Sequence, residues 1–285
     1  MYKINNFEEQ MFQIYQLKNP DETSWVTVCP ERGGIITGFG TDGKEKLYLN
    51  KETLFDRKLN VRGGIPILFP FAGELPDGQY EWENKKYFMP DHGLARIYPW
   101  EVIETFANEE KAFMSILFES SIGTKEAYPF DFEVIFKYTL KDDQLLICQT
   151  YRNTGQHPMP IYPGLHPYFK ANSKIVSIDT GAQMYQEHDD EQMKTFTDKI
   201  DLEAITESVV MENKRTSVEA KIDDVDVQIN LAKDFQYTIL WTEKDKRFVC
   251  IEPWTRKSGE ITRQDDLIMV EPKESFDTWI SIQVV

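Results

Sequence analysis

Two histidines and two glutamates lie in sequence settings that favour acid–base chemistry. His92 lies in the run DHGLAR and His166 in YPGLHPYF. Glu252 follows the apolar run FVCI at the end of a predicted strand, and Glu271 follows the similar run IMV. An imidazole exchanges protons near neutral pH, and burial raises the pKa of a carboxyl group towards that range. The pattern predicts an acid–base site, and the local sequence does not choose between Glu252 and Glu271.

The run around His166 also contains aromatic side chains that suit a carbohydrate. Tyr168 follows two residues later, and a flat aromatic ring can stack on a sugar ring. We therefore predict that Tyr168 contacts the substrate. The remaining histidines, His157 in TGQHPMP and His188 in QEHDDE, are typical of a turn and an acidic loop, and no chemistry is assigned to them.

The segment Asn60–Trp100 concentrates glycine and proline where strands would otherwise be expected. Two glycines follow Arg62 in the run RGGIP, and glycine permits positive φ angles and close approach of a ligand to the main chain. Pro66 and Pro70 stiffen the chain that follows. The composition is typical of a rigid binding loop, and also of ordinary turns between the strands of a sandwich.

The composition of the whole chain excludes several kinds of partner. The 285 residues include 32 Lys and Arg against 48 Asp and Glu, which gives a net charge of -16. A negative charge of this size opposes binding to nucleic acid or to an anionic membrane. An anionic substrate would therefore need a locally basic pocket. Hydrophobic residues make up 41% of the chain and aromatic ones 13%, which predicts a soluble globular protein with a sizeable core.

The cysteines and the N-terminus predict a cytoplasmic location. Cys29, Cys148 and Cys250 are widely spaced and form no CxxC motif, which is typical of free thiols in a reducing compartment. The first residues, MYKINNFEEQMFQIYQL, carry acidic side chains where a signal peptide would be apolar.

Alternating apolar and polar residues predict strands along most of the chain. FEVIFKYTL and LLICQTYRN flank the polar KDDQ and predict a hairpin from about Phe132 to Asn153. YTILWT and RFVCIEPW flank EKDK in the same way, and DTWISIQVV adds a final strand. Residues 187–213 favour a short helix or an irregular insertion. We expect an all-β fold, a large antiparallel β-sandwich, formed by one domain over residues 1–285.

Several motifs in order resemble those of a known family. RGGIP with FPFAG, then HGLAR with a nearby tryptophan, then HPYF, then EPW are similar to motifs of the aldose 1-epimerase (galactose mutarotase) superfamily. The resemblance spans about Val26 to the C-terminus. It is closest to the bacterial and cyanobacterial aldose 1-epimerase-like branch, which is related to the glucose-6-phosphate 1-epimerases. The resemblance implies a galactose mutarotase-like supersandwich with an open cleft on a concave sheet.

The resemblance also implies an isomerase and assigns a role to each candidate residue. The implied reaction exchanges the α and β anomers of an aldose through its open-chain aldehyde. Glu252 matches the family base and His166 the family acid, and Glu252 is preferred over Glu271 because of its distance from the final strands. His92 matches a histidine that holds a sugar hydroxyl or the ring oxygen. Carboxylate and imidazole can exchange these protons without a metal or organic cofactor.

Two arginines leave the identity of the sugar open. Arg62 and Arg96 match arginines that lie at or near the sugar-phosphate site in the hexose-6-phosphate branch, and guanidinium groups bind phosphate bidentately. They could instead bind hydroxyl oxygens of a free aldose, or be structural, with Arg96 paired to Asp91 or another acid. The expected partner is a small-molecule sugar or sugar phosphate, and a carbohydrate-binding protein without turnover is the alternative from another class.

One departure from the family concerns an aspartate that binds sugar hydroxyls in galactose mutarotases. The acids considered between His166 and Glu252 have no recognisable match to it: Asp189, Asp190, Asp223, Asp224, Asp226 and Asp234. The galactose-type determinants are therefore not identified by the sequence.

Overall fold

Strands dominate the fold, as the sequence predicts. A computed structural model describes residues 1–188, 190 and 192–284. About 52% of the chain is strand and 9% is helix. In chain order the strands of the described residues are β1 (Lys3–Glu9), β2 (Phe12–Lys18), β3 (Trp25–Cys29), β4 (Ile35–Thr41), β5 (Lys44–Glu45), β6 (Ile67–Leu68), β7 (Gln79–Trp82), β8 (Lys85–Phe88), β9 (Glu101–Ala107), β10 (Ala112–Glu119), β11 (Phe132–Lys141), β12 (Gln144–Asn153), β13 (Met159–Ile161), β14 (Gly164–Leu165), β15 (Tyr168–Lys170), β16 (Ile175–Asp179), β17 (Met184–Glu187), β18 (Met193–Thr195), β19 (Lys199–Asp201), β20 (Ser208–Glu212), β21 (Ser217–Ile222), β22 (Val225–Leu231), β23 (Tyr237–Trp241), β24 (Phe248–Trp254), β25 (Ile268–Val270) and β26 (Ser275–Val284).

The helical elements are short. They are α1 (Lys51–Phe55), α2 (Ile122–Ala127) and α3 (Glu260–Arg263), with 3₁₀ turns at Pro30–Arg32, Pro76–Gly78 and Leu202–Ala204. In the predicted insertion, 187–213, the described residues form short strands and one 3₁₀ turn rather than a helix. Within the described ranges, no helix has both the length and the apolar character that a bilayer crossing requires.

Two large antiparallel sheets carry most of the strands. One has the order β19-β16-β21-β22-β26-β12-β11-β10-β9. The other has the order β18-β17-β20-β23-β24-β14-β6, and β15 also pairs with β24. β1 to β5 form a third sheet, and the pairs β13-β25 and β7-β8 complete the set. The predicted hairpin is present as β11 and β12. The fold is a large antiparallel β-sandwich, and the predicted class is confirmed.

The main core joins the two large sheets through aromatic side chains. The ring of Phe69, just after β6, lies 5.1 Å from that of Phe132 on β11 and 5.4 Å from that of Tyr151 on β12. All three residues are buried. Edge-to-face and offset stacked rings at these distances pack favourably. This aromatic packing covers one face of the sheet that contains β24. The opposite face of that sheet is free to form a site.

Strand β24 is buried on both faces, as its apolar sequence predicts. Val249 and Ile251 belong to the main core, whereas Phe248 and Cys250 belong to a separate small cluster on the other face. Alternate residues of a strand point to opposite faces, so Glu252 lies on the same face as Phe248 and Cys250. Cys250 is a buried free thiol like Cys29, as expected from the sequence.

Candidate active site

His166 and Glu252 are brought together by the register of β24 with its neighbours. β14 pairs with β24 through Gly164 and β15 pairs with it through Tyr168, in one continuous register that sets His166 opposite Glu252. Residues opposite each other on neighbouring strands have adjacent side chains. His166 Nε2 lies 3.3 Å from Glu252 Oε1. Both residues are buried, with exposed fractions of 6% and 2%. We call these two residues the acid–base pair.

The imidazole of His166 is held by aromatic rings. It stacks on Tyr168 at 4.6 Å between centroids with 11° between planes, and the edge of Trp241 lies 5.7 Å away. Tyr168 is only 1% exposed and does not line the cleft. The prediction that Tyr168 contacts the substrate does not fit this position, because the ring of His166 covers it. Tyr168 instead sets the plane of the imidazole.

Burial controls the protonation of the acid–base pair. It raises the pKa of Glu252 well above its ordinary value, although a hydrogen bond from Trp254 Nε1 to Oε2 (3.2 Å) and the charge of Arg96 act in the opposite direction. Burial also lowers the pKa of His166 well below its ordinary value, with nearby positive charge adding to the effect. His166 Nδ1 has no hydrogen-bond partner within the described residues. The interior therefore favours the uncharged form of both groups.

His92 reaches the same place from a turn rather than a strand. Its backbone N–H donates to the carbonyl oxygen of Gly73 (2.9 Å), and its ring Nδ1 accepts from the backbone N–H of Gly73 (3.0 Å). The ring centroids of His92 and His166 are 5.3 Å apart. Burial lowers the pKa of His92 well below its ordinary value, so its ring is neutral. Because Nδ1 accepts a hydrogen bond, the neutral ring carries its proton on Nε2, where it can serve as a donor.

Glycines fix the turns of the segment Asn60–Trp100, which we call the rim segment. Gly64 has a φ of +67°, and a Cβ there would lie 2.2 Å from the carbonyl oxygen of Ile36. Gly93 has a φ of +81°, and a Cβ there would lie 2.2 Å from the carbonyl oxygen of Phe69. Neither position accepts a side chain without movement of the backbone. The glycine-rich sequence therefore builds fixed turns that carry site residues.

The two arginines of the rim segment differ in their partners. Arg62 Nε lies 2.7 Å from Glu243 Oε1, and its guanidinium lies over the ring of Trp241 at 5.5 Å. The guanidinium of Arg96 is half-buried and makes no hydrogen bond or ion pair with any residue that the structure describes, including Asp91. The structural alternative, in which Arg96 pairs with Asp91 or another acid, is not observed among the described residues. The guanidinium donors of Arg96 thus have no acceptor among the described residues, and the side chain lines a cleft.

These side chains line a single cleft of about 430 Å³, a size typical of small-molecule sites. The cleft brings together the acid–base pair, His92, Arg62 and Arg96. It also includes residues that the sequence analysis missed: Asn60, Glu74, Glu207, Ile239 and Trp241. The sequence signal for Trp241 was the strand that carries it. β23 pairs with β24, and this pairing places Ile239 opposite Glu252 and Trp241 opposite Cys250.

Comparisons with known proteins show the family of the chain. A family model described as aldose 1-epimerase matches residues 13–283. The chain belongs to the aldose 1-epimerase family. A Salmonella typhimurium LT2 protein named "Putative glucose-6-phosphate 1-epimerase" is 28% identical over 95 residues. That match covers 33% of this chain and only 29% of the relative's length.

Solved structures extend the similarity over the whole length. The Slr1438 protein of Synechocystis sp. PCC 6803 is 30% identical, with a TM-score of 0.91 over 100% of this chain and 99% of that one. A galactose mutarotase related enzyme from Lactobacillus acidophilus is 18% identical, with a TM-score of 0.77 over 99% and 97%. The second likeness concerns the fold alone. The sandwich is the galactose mutarotase-like one of this aldose 1-epimerase family.

The structure separates the alternatives that the local sequence left open. Glu271 is exposed after β25 and does not line the cleft, whereas Glu252 does. His157 is exposed in a turn. His188 is exposed too, but it lies at the rim of the cleft, so its place differs from the purely solvated loop that was expected.

The family's hydroxyl-binding aspartate has no counterpart among the described aspartates considered for it. None of Asp190, Asp223, Asp224, Asp226 and Asp234 lines the cleft, and Asp189 lies outside the described residues. A glutamate stands in this part of the cleft instead. Glu207, just before β20, lines it, and the sequence analysis missed it because only aspartates were compared.

Proposed function

We propose that the protein is an aldose 1-epimerase, an isomerase that interconverts α and β anomers by opening and closing the sugar ring. The observation that carries the proposal is the buried pair of His166 and Glu252, 3.3 Å apart, in a cleft of about 430 Å³. The anomeric hydroxyl and the ring oxygen are bonded to the same carbon. An acid and a base that serve both oxygens must therefore be neighbours, as these two are.

Each proton transfer has a place in this arrangement. The uncharged pair first moves its one proton from the carboxyl of Glu252 to Nε2 of His166, 3.3 Å away. The carboxylate then takes the proton of the anomeric hydroxyl while the imidazolium protonates the ring oxygen, and the bond between C1 and the ring oxygen breaks. The open-chain aldehyde rotates about C1–C2, and the reverse transfers close the ring on the other face. His92 donates from Nε2 to a sugar hydroxyl or the ring oxygen. Trp241 and Trp254 offer apolar faces to the sugar ring.

The electrostatics of the pair suit the open-chain state. Ring opening leaves Glu252 protonated and His166 neutral, which are the forms that burial favours. Ring closure then moves the proton of Glu252 to the oxygen that becomes the anomeric hydroxyl, and the proton of the former ring oxygen returns to His166. The pair starts and ends each cycle in the same state, so the proton balance closes without another reagent.

A hexose 6-phosphate is the second candidate substrate. The unpartnered guanidinium of Arg96 supports it, because a half-buried arginine without an acceptor is suited to a phosphate group. The name of the Salmonella relative points the same way. A free aldose remains the first candidate, since Arg62 already has Glu243 as its partner.

We extend the proposal to the domain organisation, the partners, the location and the cofactor requirement. The chain works as one domain over residues 1–285, on a small-molecule sugar or sugar phosphate, with no nucleic acid or membrane as partner. It resides in the cytoplasm, where the free thiols of Cys29, Cys148 and Cys250 would stay reduced. The protein needs no cofactor, because the acid–base pair supplies both proton transfers.

The test is anomer exchange measured by NMR with glucose, galactose and glucose 6-phosphate. Glu252→Gln and His166→Asn should each slow exchange by about 10²-fold to 10⁴-fold, while circular dichroism and sugar binding stay unchanged. Glu271→Gln is the matched control, because it makes the same substitution at an exposed glutamate outside the cleft. Full activity in both site variants would contradict the assignment. Sugar binding without exchange by the unaltered protein would favour a carbohydrate-binding protein.

A further inference from the structure

A second, smaller cavity lies beside the cleft. Its volume is about 130 Å³, and it shares Asn60 and Arg96 with the cleft. Four cationic side chains line it: Arg32, Arg57, Lys58 and Arg96. Among the described residues that line this cavity, none is a carboxylate. Such a concentration of positive charge is unexpected in a chain with a net charge of -16.

Arg32 is buried and fixed at the base of this group. Its Nε donates to the carbonyl oxygen of Leu54 (3.0 Å) and its Nη2 donates to that of Asp56 (2.9 Å), at the end of α1. Its Nη1 has no acceptor within the described residues. Carbonyl groups hold the side chain in place but do not neutralise it, and the carboxylate of Asp56 offsets only part of its charge. Burial lowers the pKa of Arg32, and the positive charge of Arg57 adds to this effect.

Arg57 and Lys58 add charge from the exposed side. The guanidinium of Arg57 lies 4.8 Å from the centre of the Phe12 ring, a contact that orients it without neutralising it. Neither Arg57 nor Lys58 takes part in an ion pair with a described residue. The cavity thus combines a buried, anchored arginine, an unpartnered half-buried one and two exposed cations. An anion would relieve the repulsion among them.

We propose that this cavity is an oxyanion site that takes a tetrahedral anion of the phosphate class. Its volume suits one such group rather than a sugar, and arginine forks match the geometry of phosphate oxygens. None of His92, His166 and Glu252 lines it, so it is separate from the place of anomer exchange. The site reaches beyond the proposed function, because binding here needs no turnover.

Arg96 couples this cavity to the cleft because it lines both. An anion in the cavity draws on the same guanidinium donors that a phosphorylated sugar would use from the cleft. Inorganic phosphate should therefore weaken binding of glucose 6-phosphate several-fold and leave binding of glucose unchanged. The two sources of the phosphate group, free anion and substrate, can be told apart in this way.

The test uses inorganic phosphate as the probe, followed by ³¹P NMR and calorimetry at low ionic strength. The double variant Arg57→Gln/Lys58→Gln should weaken phosphate binding tenfold or more. The matched control is Lys85→Gln/Lys86→Gln, which removes two adjacent exposed cations from β8, away from the cavity. Equal weakening in both doubles, or no phosphate binding by the unaltered protein, would overturn the proposal.

A second measurement identifies the source of the phosphate group. Saturating glucose 6-phosphate should weaken inorganic phosphate binding only to a finite limit, since two sites share Arg96. Complete displacement would show that the cavity is the substrate's own phosphate pocket and would overturn the separate site. Glucose exchange by Arg57→Gln/Lys58→Gln, expected at the unaltered rate, reports separately on the proposed function.

Discussion

The two sides of the cleft are built in different ways. The acid–base pair stands on β24 and its neighbours, where ladder register sets His166 opposite Glu252. The rim segment supplies Arg62, His92 and Arg96 from turns that depend on glycine. A ladder positions side chains through a period of two residues, so a slip of one residue would point them to the other face. A turn has no such repeat, and its geometry depends on single residues.

The two sides also differ in charge. Burial drives the acid–base pair towards its uncharged forms. On the rim segment, Arg96 keeps an unpartnered charge and Arg62 shares its charge with Glu243. If the proposed function holds, this difference separates chemistry from recognition: proton transfer is assigned to the sheet side, and the choice between a free and a phosphorylated sugar is assigned to the arginines of the turns.

The largest effect on stability is expected when a turn of the rim segment is disrupted while the sheet is left intact. Gly93→Ala places a Cβ 2.2 Å from the carbonyl oxygen of Phe69, and the turn that carries His92 must move. We expect a loss of about 3 kcal/mol in the free energy of unfolding. Anomer exchange should fall by about 100-fold, because small misplacements of positioning groups are costly. Chemical denaturation and NMR exchange measure the two losses.

Gly43→Ala is the matched control for this steric effect. Gly43 also has a positive φ, +67°, but a Cβ there meets nothing within 4 Å. Its cost should be about 1 kcal/mol, from the backbone conformation alone, with unchanged exchange. Equal losses in the two variants would mean that close packing does not fix the turn at Gly93.

The next effect separates the two arginines. Arg96→Gln should raise the KM for glucose 6-phosphate by about 10-fold to 100-fold, the value of a charge-assisted hydrogen bond, and change that for glucose by less than about threefold. Arg62→Gln should raise the KM for glucose 6-phosphate by only about threefold, because Glu243 already takes part of its charge. Initial rates of exchange with both sugars measure these constants. An equal loss on glucose and glucose 6-phosphate in Arg96→Gln would indicate a hydroxyl-binding or structural role.

The sequence predicted the strands well because their periods are local. The hairpin of β11 and β12 and the buried strand β24 follow from apolar alternation that is visible within ten residues. Residues 187–213 have no such pattern, so their sequence is compatible with either a short helix or an irregular insertion. The described part of that range forms short strands. β18 pairs with the nearby β17, but β19 pairs with β16 and β20 with β23, and strands of three to five residues leave little local signal.

The site was predicted in part, and the errors at its aromatic residues have a common cause. His166, Glu252, His92, Arg62 and Arg96 do meet in one cleft. Their roles stay proposals, as does the single domain. Whether an aromatic ring faces the cleft or packs behind it depends on register between distant strands. The sequence therefore misplaced Tyr168 and missed Trp241. Glu207 was missed for another reason, because only aspartates were compared with the family residue. The pairing of Arg62 with Glu243 joins residues far apart in the chain and has no local signal.

The smallest effect concerns the stability cost of the acid–base pair. Burial raises the pKa of Glu252 in the folded state, so the folded protein holds a proton that the unfolded chain releases above about pH 4.3. The folded state is therefore penalised increasingly as pH rises from that value towards the folded pKa. Glutamine removes the penalty and still offers an oxygen to Trp254 Nε1. Glu252→Gln should then be more stable than the unaltered protein by about 1 kcal/mol at pH 7, although it loses activity.

The pH dependence distinguishes this effect from a general change in packing. The gain from Glu252→Gln should vanish below about pH 4.3, where the carboxyl is protonated in both states, and should grow above it. Glu271→Gln, at an exposed position, should show no such pH-dependent gain. Thermal unfolding from acid to neutral pH measures both variants. A gain that is constant across this range would mean that the pair is not held in its uncharged form by burial, and the contrast between a neutral sheet side and a charged rim would then fail.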